Sequence, residues 1–146
     1  MREILFKAKR VDNGEWVEGA LVQVDNSENF CYIMPRYNLA SSLSPLDLVK
    51  MCSKKVLPET LCEYTELTDK HGKRIWENDI CRFREWSKGD MCWVGKVHYE
   101  HCQFVISGNP NKECESPFLL VMSRFIPENI EVIGNIFDNS ELLEER

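Results

Sequence analysis

The feature that most constrains this chain is how often its sequence signals a turn. Asp12-Asn13-Gly14, Asp25-Asn26-Ser27, Asp69-Lys70-His71-Gly72, Lys88-Gly89-Asp90 and Gly108-Asn109-Pro110-Asn111 interrupt it along its length. These residue types take tight or left-handed backbone at low cost. Between them lie short runs with apolar and polar residues in alternation, and no stretch sustains the 3.6-residue period of a long helix. Such a chain folds mainly as β, with short strands in a small, strongly bent sheet or barrel and little helix. Gly95 and Gly134 fall inside strand patterns, where glycine marks a bulge or the close approach of another backbone.

Taken in order, Ile4-Leu5-Phe6-Lys7-Ala8-Lys9-Arg10 reads as a strand with one wet face. Asn13-Gly14 reads as a type I′ turn, Trp16 to Val24 as a second strand, and Phe30 to Met34 as a third, halted by Pro35. Residues 35 to 55 read as a loop in which Ser44-Pro45 opens either a helical turn or a short strand. Farther on, Met91 to Glu100 pairs with Cys102 to Ser107 through a turn at Glu100-His101. The run from Pro117 to Phe125 reads as a strand or short helix, Glu131 to Asn139 as a last strand, and Glu141 to Glu144 as a helical turn.

Hydrophobic residues make up 43% of the 146, enough to bury a core. The formal charge is −6, opposite to the basic footprint that phosphate-backbone binding needs. Residues 1 to 57 hold 8 Lys and Arg against 7 Asp and Glu, whereas 58 to 146 hold 10 against 17. No run approaches the roughly 18 apolar residues of a membrane span, and the charged first ten residues do not form a secretion signal. The expectation is a cytoplasmic protein with no membrane contact.

Seven cysteines at 31, 52, 62, 81, 92, 102 and 114 contain no CxxC and read as reduced, mostly buried thiols. His98, His101 and Cys102, with Cys81 or Cys92, are the one grouping that suggests zinc. Structural zinc favours closely paired ligands, and positions 98 and 101 of a strand face opposite sides. No metal and no cofactor are expected, with an unrecognised zinc protein or enzyme built around His98, His101 and Cys102 as the second alternative. Gly72-Lys73 lacks the earlier glycine and the following helix of a phosphate-binding loop. Neither a GxSxG elbow nor HExxH occurs, and the three histidines show no constellation with a nucleophile, so no catalytic residues and no enzyme activity are expected. Four tryptophans are many for a small core, which makes Trp16, Trp76 and Trp86 candidates for an interaction surface. Arg82 and Arg84 share one strand face and supply a basic stripe for an alternative nucleic-acid reading, although Glu77, Asp79 and Glu85 interleave with it.

The segments ILFKAKRVDNGEWVEG, ETLCEYTELTDKHGKRIWENDICRF and EVIGNIFDNSELL resemble, in this order, the YopX family of phage and prophage proteins. In that resemblance Glu66 and Asn78 stand where glycines are usual, and Ile75 to Ile80 looks like the entry to an SH3-like barrel. It implies one domain over 1–146, with an N-terminal hairpin region 1–34, a variable loop region 35–55, a barrel-like region 56–138 and an acidic tail 139–146. It also implies a bacterial host cell and brings no catalytic residues. The expected partners are a second copy of the chain or a host or phage protein.

Overall fold

The computed structural model describes residues 1, 3–23, 30–36, 44–85, 91–108, 118–121 and 127–144. Among the described residues there are eleven strands and one α-helix: β1 Phe6–Lys9, β2 Trp16–Gln23, β3 Cys31–Pro35, α1 Pro45–Cys52, β4 Lys54–Val56, β5 Cys62–Thr68, β6 Arg74–Trp76, β7 Asp79–Glu85, β8 Met91–Glu100, β9 Gln103–Gly108, β10 Phe118–Val121 and β11 Ile130–Asn135. Short 3-10 turns occupy Pro58–Thr60, Pro127–Asn129 and Ser140–Leu143. The chain divides into two compact units, Met1–Tyr64 and Thr65–Arg146, with the boundary inside β5.

In the first unit the strand order is β4-β3-β2-β1-β5, and the β1–β2, β1–β5, β2–β3 and β3–β4 pairings are all antiparallel. The β1–β2 hairpin forms as the sequence suggests, but its turn is not type I′. Gly14 has φ +71 and Asn13 is not left-handed, and a longer loop closes through Arg10 N–H to Glu15 O at 2.9 Å and Gly14 N–H to Arg10 O at 3.0 Å. Asn13 instead braces Glu15, accepting its N–H at 3.0 Å and donating to its carboxylate at 2.9 Å. At the other end of the sheet, β4 bends back towards β1. Val11 N–H reaches Lys55 O and Leu57 N–H reaches Lys9 O, flanking a single bridge between Arg10 and Val56. Ala8, Cys31, Ile33 and Val56 form the core this bend encloses, with Phe6, Val17, Leu21 and Leu61 against it. Burying an Ile33 or Val56 side chain stabilises by about 2 kcal/mol.

Helix α1 resolves the ambiguity at Ser44-Pro45. Ser44 caps it, its hydroxyl accepting Asp47 N–H at 3.3 Å and donating to the Asp47 carboxylate at 2.6 Å, while Pro45 supplies a preset first turn. None of its residues is buried, and Leu46 and Met51 are 64% and 70% exposed.

In the second unit β6 lies beside β5, and a five-stranded antiparallel sheet runs β10-β9-β8-β7-β11. Its core holds Ile75, Cys81, Phe83, Trp93, Val97, Ile106 and Ile130. Phe83 and Trp93 face each other across β7 and β8, their rings stacked at 6.3 Å. Gly95 and Gly134 do what the sequence suggests. A Cβ on Gly95 would lie 2.6 Å from Ser107 O, and the register of β11 on β7 shifts between Val132 and Gly134.

The barrel expectation is corrected: both sheets are open. The physical reason is visible at β11, an edge strand whose outer backbone groups are taken by a turn in place of another strand. Lys70 N–H donates to Ile130 O at 2.9 Å, and Val132 N–H donates to Asp69 Oδ2 at 3.0 Å. Asp69 Oδ1 accepts the N–H groups of His71 and Lys73, both at 2.9 Å. Burial pushes the Asp69 carboxyl up, but the hydrogen bonds from Val132, Lys73 and His71, with the His71 charge, together hold it below its ordinary value.

The two family positions that lack glycine carry left-handed backbone, Glu66 at φ +68 and Asn78 at φ +66. Thr65 supports the first kink, its hydroxyl donating to Ile75 O at 2.7 Å and accepting Leu67 N–H at 3.3 Å. A non-glycine residue there costs about 1–2 kcal/mol, and glycine's extra freedom in the unfolded chain returns about 0.5–1 of that. Glu66→Gly is expected to stabilise by about 0.5–1 kcal/mol, read as a higher thermal midpoint; a lower midpoint would refute the strain. Asp69→Asn is expected to destabilise by about 2 kcal/mol at neutral pH, because an amide nitrogen would face a backbone donor. The depressed carboxyl gives stability that is fully present above the ordinary aspartate pKa of about 4 and is lost as pH falls through the folded value. Urea titrations should therefore show less acid-dependent loss in the Asn variant than in the wild type.

Candidate functional site

The surface of the first unit offers an aromatic and basic patch beside a groove. Trp16 opens β2 opposite Lys9 of β1, and Lys7 lies on the same face two residues away. Their ammonium groups sit 5.5 and 5.0 Å from the indole ring, contacts worth about 0.5–1 kcal/mol each at exposed sites. Trp16 is half-buried, so the ring is shared between the sheet and solvent. Where β4 returns to the end of β1, an open groove of about 580 Å³ is lined by Val11, Phe30, Lys55, Val56, Leu57 and Pro58, with Glu59 at its margin. Lys55 Nζ lies 3.3 Å from the Phe30 ring centroid. Half of the Val11 surface is exposed, leaving its methyls available at the groove.

The basic stripe of the second unit is built differently from its sequence pattern. Arg82 is opposite Glu131 in the β7–β11 pairing and 3.9 Å from its carboxylate. Lys70 binds the same oxygen at 2.7 Å, and His71 Nε2 is 3.5 Å from the other. The hydrogen bond from Lys70, opposed by desolvation and aided by Arg82, holds the Glu131 carboxyl below the usual range. Glu131 is 49 residues from Arg82 in the chain, and no local pattern announces the pairing. Arg84 lies in β7 opposite Cys92, with its side chain outside the described residues, and Trp86 lies outside them altogether.

Trp76, expected at an interaction surface, is only 3% exposed, and its backbone N–H is held by the Asp79 carboxylate at 2.8 Å, so its ring is not offered to a partner. Trp93 is likewise buried, at 6% exposure.

Two of the three histidines, His98 and His101, lie on the β8–β9 hairpin. Its turn is centred on His101 and Cys102, one residue later than Glu100-His101, since Glu100 pairs with Gln103. Both central residues are left-handed, at φ +49 and +64, as a type I′ turn requires. Glu100 lies between two imidazoles, 3.2 Å from His98 Nε2 and 3.4 Å from His101 Nδ1. His98 Nδ1 is 3.3 Å from Ser107 Oγ on β9 and 3.5 Å from Lys96 O. His101 and Cys102 are exposed at the tip, and His98 turns along the strand. Among the described residues no three His, Cys, Asp or Glu side chains are grouped as a metal would need. None of the six described cysteines is in a disulfide, and Cys31, Cys62 and Cys81 are buried.

Sequence reasoning missed Ser107 and Glu100 as partners of His98. The signal was the hairpin register: a turn placed at Glu100-His101 sets His98 against Gln103, whereas the observed turn sets it against Val105, with Ser107 as the diagonal neighbour.

The geometry can be set beside known proteins. The crystal structure of protein EF1440 from Enterococcus faecalis superposes with a TM-score of 0.53 at 19% identity, covering 98% of this chain and 99% of that one, a likeness of fold. No curated protein matches the chain. The family model described as YopX protein matches residues 5–144. The chain belongs to the YopX family.

Proposed function

We propose that this YopX-family chain is a phage or prophage protein that works in the cytoplasm of its bacterial host as a binding module, engaging a second copy of itself or a host or phage protein. The observation that carries the reading is the open groove beside Val11, Phe30, Leu57 and Pro58. Mostly apolar and concave, it has the character of a site that an apolar anchor side chain fills. Trp16, with Lys7 and Lys9 over its ring, adds an amphipathic contact on the same unit.

Val11→Asp places a carboxylate in the groove at an exposed position, where the thermal midpoint should barely move. Self-association, or retention of a captured protein, is expected to weaken about tenfold, equivalent to about 1.4 kcal/mol. Sedimentation equilibrium and quantitative pull-down measure it. A chain that is monomeric at micromolar concentration and retains the same proteins with and without the substitution would defeat the reading.

A second reading, nucleic-acid binding, is favoured by the gathering of Lys70, His71 and Arg82 around one carboxylate. Arg82→Glu should then abolish salt-sensitive retention on DNA or RNA, since counterion release makes phosphate binding fall steeply with salt. Retention that is unchanged in this variant counts against it.

A further inference from the structure

We propose that Ser107 is a nucleophile activated by His98 and Glu100, able to accept an acyl group from small activated esters or thioesters. This goes beyond the binding role and stands independently of it, because its residues all lie on the β8–β9 hairpin of the second unit.

The geometry assigns each group a part. In the Nε2–H tautomer His98 donates to Glu100 at 3.2 Å and Nδ1 is bare; the opposite tautomer would have Lys96 O, at 3.5 Å, as its acceptor, and the shorter contact favours the first. The bare Nδ1 is 3.3 Å from Ser107 Oγ, within reach of the hydroxyl proton. A nucleophile within reach of a base, and a base oriented by a carboxylate, is the arrangement on which hydroxyl catalysis rests. Lys96 is the cross-strand partner of Ser107, so the two residues share a face of the hairpin. His98 is about one quarter exposed, and Val105 opposite it is buried, so only a small acyl group could reach the pair.

In the reaction Ser107 Oγ bonds to the ester carbonyl carbon as its proton passes to His98 Nδ1. The tetrahedral oxyanion collapses with loss of the alkoxide or thiolate, which takes the proton from the imidazolium. The product is acyl-Ser107. Water, deprotonated by the same nitrogen, then attacks the acyl carbon, releasing a carboxylic acid and restoring the hydroxyl. No electrons change owner. Glu100 is a positioning residue, since it acts through the imidazole.

The test is labelling of the full chain with a fluorophosphonate probe, followed by peptide mapping, together with release of nitrophenolate from p-nitrophenyl acetate. Label on Ser107 is expected in the wild type and absent in Ser107→Ala, a substitution small enough to keep the hairpin, as circular dichroism would check. His98→Gln should slow labelling of Ser107 by about 100-fold, the lower end of general-base contributions. Imidazole nitrogen chemical shifts should show the Nε2–H tautomer in the wild type and its loss in Glu100→Ala, which removes the acceptor, a signature that a packing role would not produce. Absence of label on Ser107 in the folded wild type, or labelling indifferent to His98, overturns the proposal and leaves the groove reading untouched.

Discussion

The second unit depends on a single carboxylate. Asp69 is 4% exposed and accepts three backbone N–H groups, two from its own turn and one from β11. A buried charge survives only when its lone pairs are filled, and here the filling is structural, since the donors belong to segments 63 residues apart. With Lys70 N–H on Ile130 O, the turn blocks the outer edge of β11, an edge that would otherwise invite another strand. The same docking brings Lys70 and His71 over Glu131, whose position on β11 opposite Arg82 is set by strand register. One hydrogen-bonding residue therefore places both the sheet edge and the charged cluster beside it.

Left-handed backbone is the second constraint. The four non-glycine residues with positive φ among those described, Glu66, Asn78, His101 and Cys102, all fall in the second unit. Asn78 tolerates this conformation cheaply, and its backbone is held on both sides, N–H by Val97 O and O by Ile136 N–H. His101 shares this tolerance in part, but Cys102 does not. Their turn persists because the β8 and β9 ladders that flank it, from Lys96–Ser107 to Glu100–Gln103, determine its geometry. Backbone strain of this kind is retained only where surrounding structure enforces it.

What could be read from sequence follows from the range of each interaction. Turn residues and alternation act over a few positions, so the β1–β2 hairpin, the strand ending at Pro35, the α1 cap at Ser44 and the glycines at 95 and 134 were legible. The choice between an open sheet and a barrel was not, since it rests on Asp69 reaching Val132. The Arg82–Glu131 pair and the burial of Trp76 are also products of tertiary pairing. Ser107 was hidden for a finer reason. A turn displaced by one residue moves every cross-strand partner by two, and the residue opposite His98 changes from polar Gln103 to buried Val105.

The likeness to the Enterococcus faecalis protein at 19% identity fits a fold specified by backbone demands more than by side-chain identity. Turns, left-handed kinks and an apolar alternation leave the outward faces of the strands free to vary. Fold membership therefore says little about chemistry. The groove at Val11 and the polar array of His98, Glu100 and Ser107 are properties of this chain's own surface residues. Each rests on a core: Val56 belongs both to the groove lining and to the first core, and Val97 and Ile106, on the face opposite His98 and Ser107, belong to the second. That division gives such a small β fold room for both: rigid strands fix where the side chains stand, while their outer faces decide what they do.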